Sequence, residues 1–148
     1  MLDPQKVDDL IGEFEQTPEL EMMRLIEMAR ELSAQHYYYT KVLAEVAKIQ
    51  RVTRAQRKAT FAKLVAKHKA TENSNAAAVA VAENDEEYRA LYAKEYEHEG
   101  REKGGARICD AIRKVLERMS QEIADMRDEK KYQRFTSADT KSDHAHQY

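Results

Sequence analysis

The residues with the clearest capacity for chemistry are cations. Between Lys41 and Ala70 the chain carries Lys41, Lys48, Arg51, Arg54, Arg57, Lys58, Lys63, Lys67 and Lys69 against one acid, Glu45. That is a local charge of +8 inside a chain whose formal total is −2. Like charges held so close repel one another and gain most when a polyanion lies across them. On that reading Arg51, Arg54, Arg57, Lys58, Lys63 and Lys67 contact phosphate, and Phe61 stacks on a base. The plainer reading is a basic face balanced by acidic neighbours. Residues 72–99 hold eight acids and two bases, so an antiparallel hairpin of the two stretches would complement itself. Surface ion pairs are worth only about 0–1 kcal/mol each, so such pairing biases register rather than holding a fold.

Other chemistry is sparse. The sequence has no glycine-rich phosphate loop, no cysteine pair and no Ser-His-Asp pattern, and no catalytic residue is assigned. Glu95 and His98 form a Glu-x-x-His pair of the kind found in di-iron helical bundles. A bundle site needs a second such pair and further carboxylates, and none of the other histidines (His36, His68, His144, His146) has a Glu three places before it. The expectation is therefore a non-enzyme with no metal and no cofactor. His36 lies on an apolar stripe and reads as a packing residue; His144 and His146 read as part of a solvated tail. The single cysteine, Cys109, reads as a small buried hydrophobe and fits a reducing compartment.

These residues need helices to position them. The basic stretch lacks Gly and Pro and is rich in Ala, Lys, Arg, Gln and Leu, which lose little side-chain freedom in a helix. Upstream, Asp3-Pro4 is a cap followed by proline at the first helical position, opening a short acidic helix over 1–17 with Val7, Leu10, Ile11 and Phe14 on one face. Thr17-Pro18-Glu19 repeats the start signal for a long helix over 18–70. Leu25, Ala29, Leu32, His36, Tyr39, Leu43 and Val46 recur at alternating steps of four and three, the pattern of a helix-packing seam. Tyr39 then faces inward, and Tyr37 or Tyr38 is left for the surface. Val52, Ala55, Ala59, Ala62 and Ala66 continue at helical spacing with small side chains that admit a second backbone.

The polar run Thr71-Glu72-Asn73-Ser74-Asn75 is a break, with Asn75 available to cap the helix that follows. A second long helix spans 76–135, with a hinge at Gly100 and Gly104-Gly105. Tyr88, Tyr92 and Tyr96 form a ridge read as a helix contact rather than a stacking platform, because it lies in the acidic stretch. Ile108, Ile112, Val115, Met119, Ile123 and Met126 form an apolar stripe. Residues 136–148 lack periodicity and read as a disordered tail.

The whole is an all-α chain, with 1–135 one domain of long antiparallel helices with heptad seams. Its composition, 42% hydrophobic and 35% charged, fills a helix seam but not a thick core, so a homo-oligomer is expected to complete the burial. No apolar run reaches about 18 residues, so no membrane partner is expected. The acidic N-terminal stretch is unlike a signal peptide, which points to the cytoplasm.

The order of these elements resembles the phage recombination mediator family (UvsY-like). The matching pieces are HYYYTKVL (36–43), RVTRAQRKATFAKLVAK (51–67), VAENDEEYRALY (81–92) and AIRKVLERMSQEIADMRDEKKYQRF (111–135). The resemblance implies a helical protein that assembles into a ring and binds single-stranded DNA. Such a protein helps a RecA-like recombinase displace single-strand-binding protein, working in the host cytoplasm. The family's Lys-x-Arg pair and following tyrosine pair correspond in this chain to RKATFAKL (57–64), which lacks the tyrosines. The rival expectation is a helical assembly or adaptor protein whose basic and acidic helices merely pair with each other.

Overall fold

A computed structural model describes residues 1–72 and 74–144, with side-chain surroundings as far as residue 138. Among these the chain is all-helical, with no strand: α1 (Pro4–Gln16), α2 (Met22–Lys69), α3 (Asn75–Glu83) and α4 (Glu86–His144). Two helices dominate, α2 with 48 residues and α4 with 59. The packing divides into two units. One joins residues 1–38 to those from Cys109 onward; the other is Tyr39–Ile108.

In the first unit the Asp3 carboxylate accepts from the Lys6 backbone N–H at 3.1 Å, and Pro4 occupies the first turn, where its missing N–H costs nothing. The start of α1 is fastened to α2 by Gln35. Its Oε1 accepts from the Asp3 N–H at 2.8 Å and its Nε2 donates to the Met1 carbonyl at 3.0 Å. Residues 17–21 then reverse the chain, so that Arg24 reaches back to Glu13 through two hydrogen bonds of 2.8 and 2.6 Å. The second helix consequently begins at Met22, not at 18, with the Glu21 carbonyl accepting from Leu25 at 3.0 Å. Val7, Leu10 and Phe14 of α1 are buried, as are Leu25, Met28 and Leu32 of α2 and Ile112, Val115 and Met119 of α4. Burying a side chain of that size stabilises by about 1.5–3 kcal/mol, so this core is the apolar anchor of the unit.

The second unit is built differently. Ser74, not Asn75, caps α3, accepting from the Ala77 N–H at 3.1 Å, and α3 buries only Ala78 and Ala82. The break before α4 falls at Asn84-Asp85. There the Asp85 carboxylate accepts from the backbone N–H groups of Glu87 and Tyr88 at 2.9 and 3.3 Å. No break in the helix falls where the glycine hinge was expected: α4 runs unbroken through Gly100, Gly104 and Gly105, none of which has positive φ. A glycine costs about 1 kcal/mol in a helix but does not by itself break one. Intrahelical bridges straddle the first of them, Glu97–Arg101 at 2.5 Å and Glu99–Lys103 at 2.8 Å. Gly105 has a packing reason, since a Cβ there would sit 3.0 Å from Leu43 Cδ1.

Two further expectations change. The helix continues through 136–144, where a disordered tail was expected. The hydroxyls of Thr136 and Ser137 donate to carbonyls one turn back, at 3.1–3.2 Å, and so fit a helix. Residues 145–148, with His146, lie outside the described residues. Cys109 is half-buried rather than enclosed. No helix of the described residues is long and apolar enough to cross a membrane.

Candidate nucleic-acid interface

The second unit holds the basic part of α2 against the N-terminal part of α4. Pairings of Leu43 with Gly105, Arg54 and Arg57 with Glu95, and Phe61 with Tyr88 fix their direction as antiparallel. The side of α2 turned to α4 is not the small-residue strip. Val52 is 52% exposed, and Ala55, Ala59, Ala62 and Ala66 are exposed with it. Gln50 and Thr53 are buried in their place, with Arg57, Phe61 and Leu64 half-buried along the same side. Both strips have helical spacing. The inward one wins because its longer side chains reach partners on α4, which methyl groups do not.

At the centre is Glu95, 8% exposed. Its Oε1 accepts from Arg54 Nε at 2.8 Å and its Oε2 accepts from Arg57 Nε. The Arg57 guanidinium also lies over the Tyr92 ring, 5.4 Å from its centroid, and Tyr88 stands against Phe61 at 5.1 Å. The hydrogen bond from Arg57, supported by Arg54, holds the Glu95 carboxyl below its ordinary value of 4.5 against the opposing effect of burial. A carboxylate depressed in the fold contributes stability that is complete above its unfolded value and is lost as the pH falls through the folded one. Denaturation at neutral pH and at about pH 3 should therefore show an acid-sensitive component, and Glu95→Gln should remove that component.

The six cations singled out in the sequence thus fall into two groups. Arg54 and Arg57 are held by Glu95, and Arg54 remains 47% exposed on its side chain. Arg51, Lys58, Lys63 and Lys67 are exposed and make no ion pair among the described residues. Arg51 and Lys58 flank the exposed small strip on one side, Lys63 and Lys67 on the other. Phe61 packs half-buried on Tyr88. Of the tyrosine run, Tyr37 is 57% exposed and Tyr38 37%, with their rings 5.9 Å apart, while Tyr39 is half-buried.

The acidic half of the hairpin covers little of the basic half. Glu97 and Glu99 pair within α4, and among the described residues Glu95 is the acid of this stretch that pairs across to α2. Glu95 was seen in the sequence only as half of a Glu-x-x-His pair. The signal for its actual role was available: it falls on the helical stripe Tyr88, Leu91, Glu95, His98, where an acid must find cations. Compared with known proteins, the chain matches no family model, no curated protein and no solved structure.

Proposed function

We propose that the chain is a non-enzymatic single-stranded DNA-binding protein of the recombination-mediator kind. On this reading it forms a homo-oligomer through heptad seams and helps load a RecA-like recombinase onto DNA coated with single-strand-binding protein, in the cytoplasm. The observation that carries the DNA-binding step is that four of the six cations, Arg51, Lys58, Lys63 and Lys67, are exposed, make no ion pair among the described residues and lie on either side of an exposed strip of small residues. Alanines let a sugar-phosphate backbone come close to the helix while long cationic side chains reach around it. The mediator step rests on the order of elements across 36–135 set out above.

Four phosphate contacts give a log-log salt slope of about −2.8, at about −0.7 per contact for single strands. That is weak for one subunit, and a ring multiplies it by placing many copies on one strand. Fluorescence anisotropy with a labelled single-stranded oligonucleotide at two salt concentrations reads the slope directly. Absent or salt-independent binding overturns the reading. The adaptor reading is favoured by one observation, the bridging of Arg54 and Arg57 by Glu95, which makes part of the basic helix an internal pairing surface.

A further inference from the structure

The ridge of Tyr88, Tyr92 and Tyr96 lies in a stretch of net charge −6, a poor setting for a polyanion on sequence grounds. The contacts alter that setting. Every acid between Tyr92 and Gly100 is engaged by a cation: Glu95 by Arg54 and Arg57, Glu97 by Arg101 and Glu99 by Lys103. Glu86, Glu87 and Glu102, which make no ion pair among the described residues, are all more than one helical turn along α4 from the Tyr92–Tyr96 pair, and Glu83 and Asp85 precede that helix. Tyr88 is packed on Phe61, but Tyr92 is 55% exposed and Tyr96 75%. These two rings are large apolar surfaces left in water beside neutralised carboxylates.

Their position follows from the same contacts. Arg54 and Phe61, seven residues apart, share a stripe of α2. Arg54 touches Glu95 and Phe61 touches Tyr88, so the tyrosine edge of α4 runs beside the stripe that also bears Arg51 and Lys58. Arg57 sets a guanidinium over Tyr92 at 5.4 Å and helps fix that ring.

We propose that Tyr92 and Tyr96 are a stacking platform for two bases of a single strand whose phosphates follow Arg51 and Lys58. The inference rests on the DNA-binding reading above and specifies its strand. Residues four apart on a helix are about 6 Å apart along the axis, against the ~3.4 Å between neighbours in a stacked strand. The platform therefore takes a stretched strand with separated bases. A duplex hides its base faces within the stack and is not a ligand for it.

The test compares Tyr92→Leu/Tyr96→Leu, Tyr92→Ala/Tyr96→Ala and Tyr92→Phe/Tyr96→Phe on two probes of equal length: a thymidine oligonucleotide and an abasic one with the same phosphates. Leucine keeps apolar bulk and helix without a planar ring, and circular dichroism verifies the fold. The Leu and Ala pairs should lose roughly 5- to 100-fold in thymidine-strand affinity per tyrosine. The salt slope and the abasic binding should not change, and the Phe pair should bind as the unsubstituted chain does. Unchanged thymidine-strand affinity in the Leu pair overturns the platform while leaving the phosphate contacts in place. Failure of the unsubstituted chain to bind either probe overturns the DNA-binding reading itself, and the platform with it.

Discussion

Reversing Arg51, Lys58, Lys63 and Lys67 to Glu together abolishes single-stranded DNA binding and leaves the fold intact. The four reversals cancel the whole +8 of residues 41–70. The unsubstituted chain, at a slope of about −2.8, should lose roughly 50-fold in affinity between about 50 and 200 mM salt. The reversed chain should show no binding at the low end of that range. Its helix content and urea midpoint should hardly move. None of the four side chains makes an ion pair among the described residues, and surface substitutions of that kind fall within about ±0.5 kcal/mol each. Retained binding would place the site elsewhere. A collapse of the fold would mean that these cations are paired after all, as the adaptor reading requires.

The all-helical character was legible because almost nothing in the sequence interrupts it; four glycines and two prolines leave few places to turn. The face of α1 was legible because Val7, Leu10 and Phe14 are large and its opposite side is charged. In the second unit the pattern was ambiguous. Between Gln50 and Lys67 both the alanine strip and the strip of Gln50, Thr53, Arg57 and Leu64 repeat at helical spacing. Periodicity names two candidate faces there without choosing between them. The choice is made by Glu95, 38 residues from Arg57, and no local pattern carries that distance. The same contact decides which cations stay uncovered, so the sequence could name six and not separate the two that are held. The glycines of α4 misled for a related reason. Their cost is local, about 1 kcal/mol each, and is offset by the i,i+4 bridges that straddle Gly100 and by the packing of Gly105 under Leu43, a contact that only the hairpin supplies.

Substitutions at the two ends of one ion pair should have effects of different kinds. Arg57→Glu sets a second carboxylate against Glu95, whose side chain is 11% exposed, and leaves only the half-exposed Arg54 to compensate. Breaking a buried pair costs about 3–5 kcal/mol. The second unit has little to set against this, since its fully buried apolar side chains are Ala78 and Ala82 alone among the described residues. Amide hydrogen exchange should accelerate across 39–108 while Leu25, Met28 and Leu32 keep their protection. Glu95→Gln keeps the shape and one acceptor oxygen but removes the charge that holds two guanidinium groups. Arg54 and Arg57 then become available to phosphate, and the salt slope should steepen from about −2.8 toward about −4.2, the value for six contacts. A protein whose basic helix exists only to pair with its acidic neighbour would gain DNA affinity in neither variant. Tighter, more salt-sensitive binding by Glu95→Gln is the outcome that only a partly masked DNA surface produces.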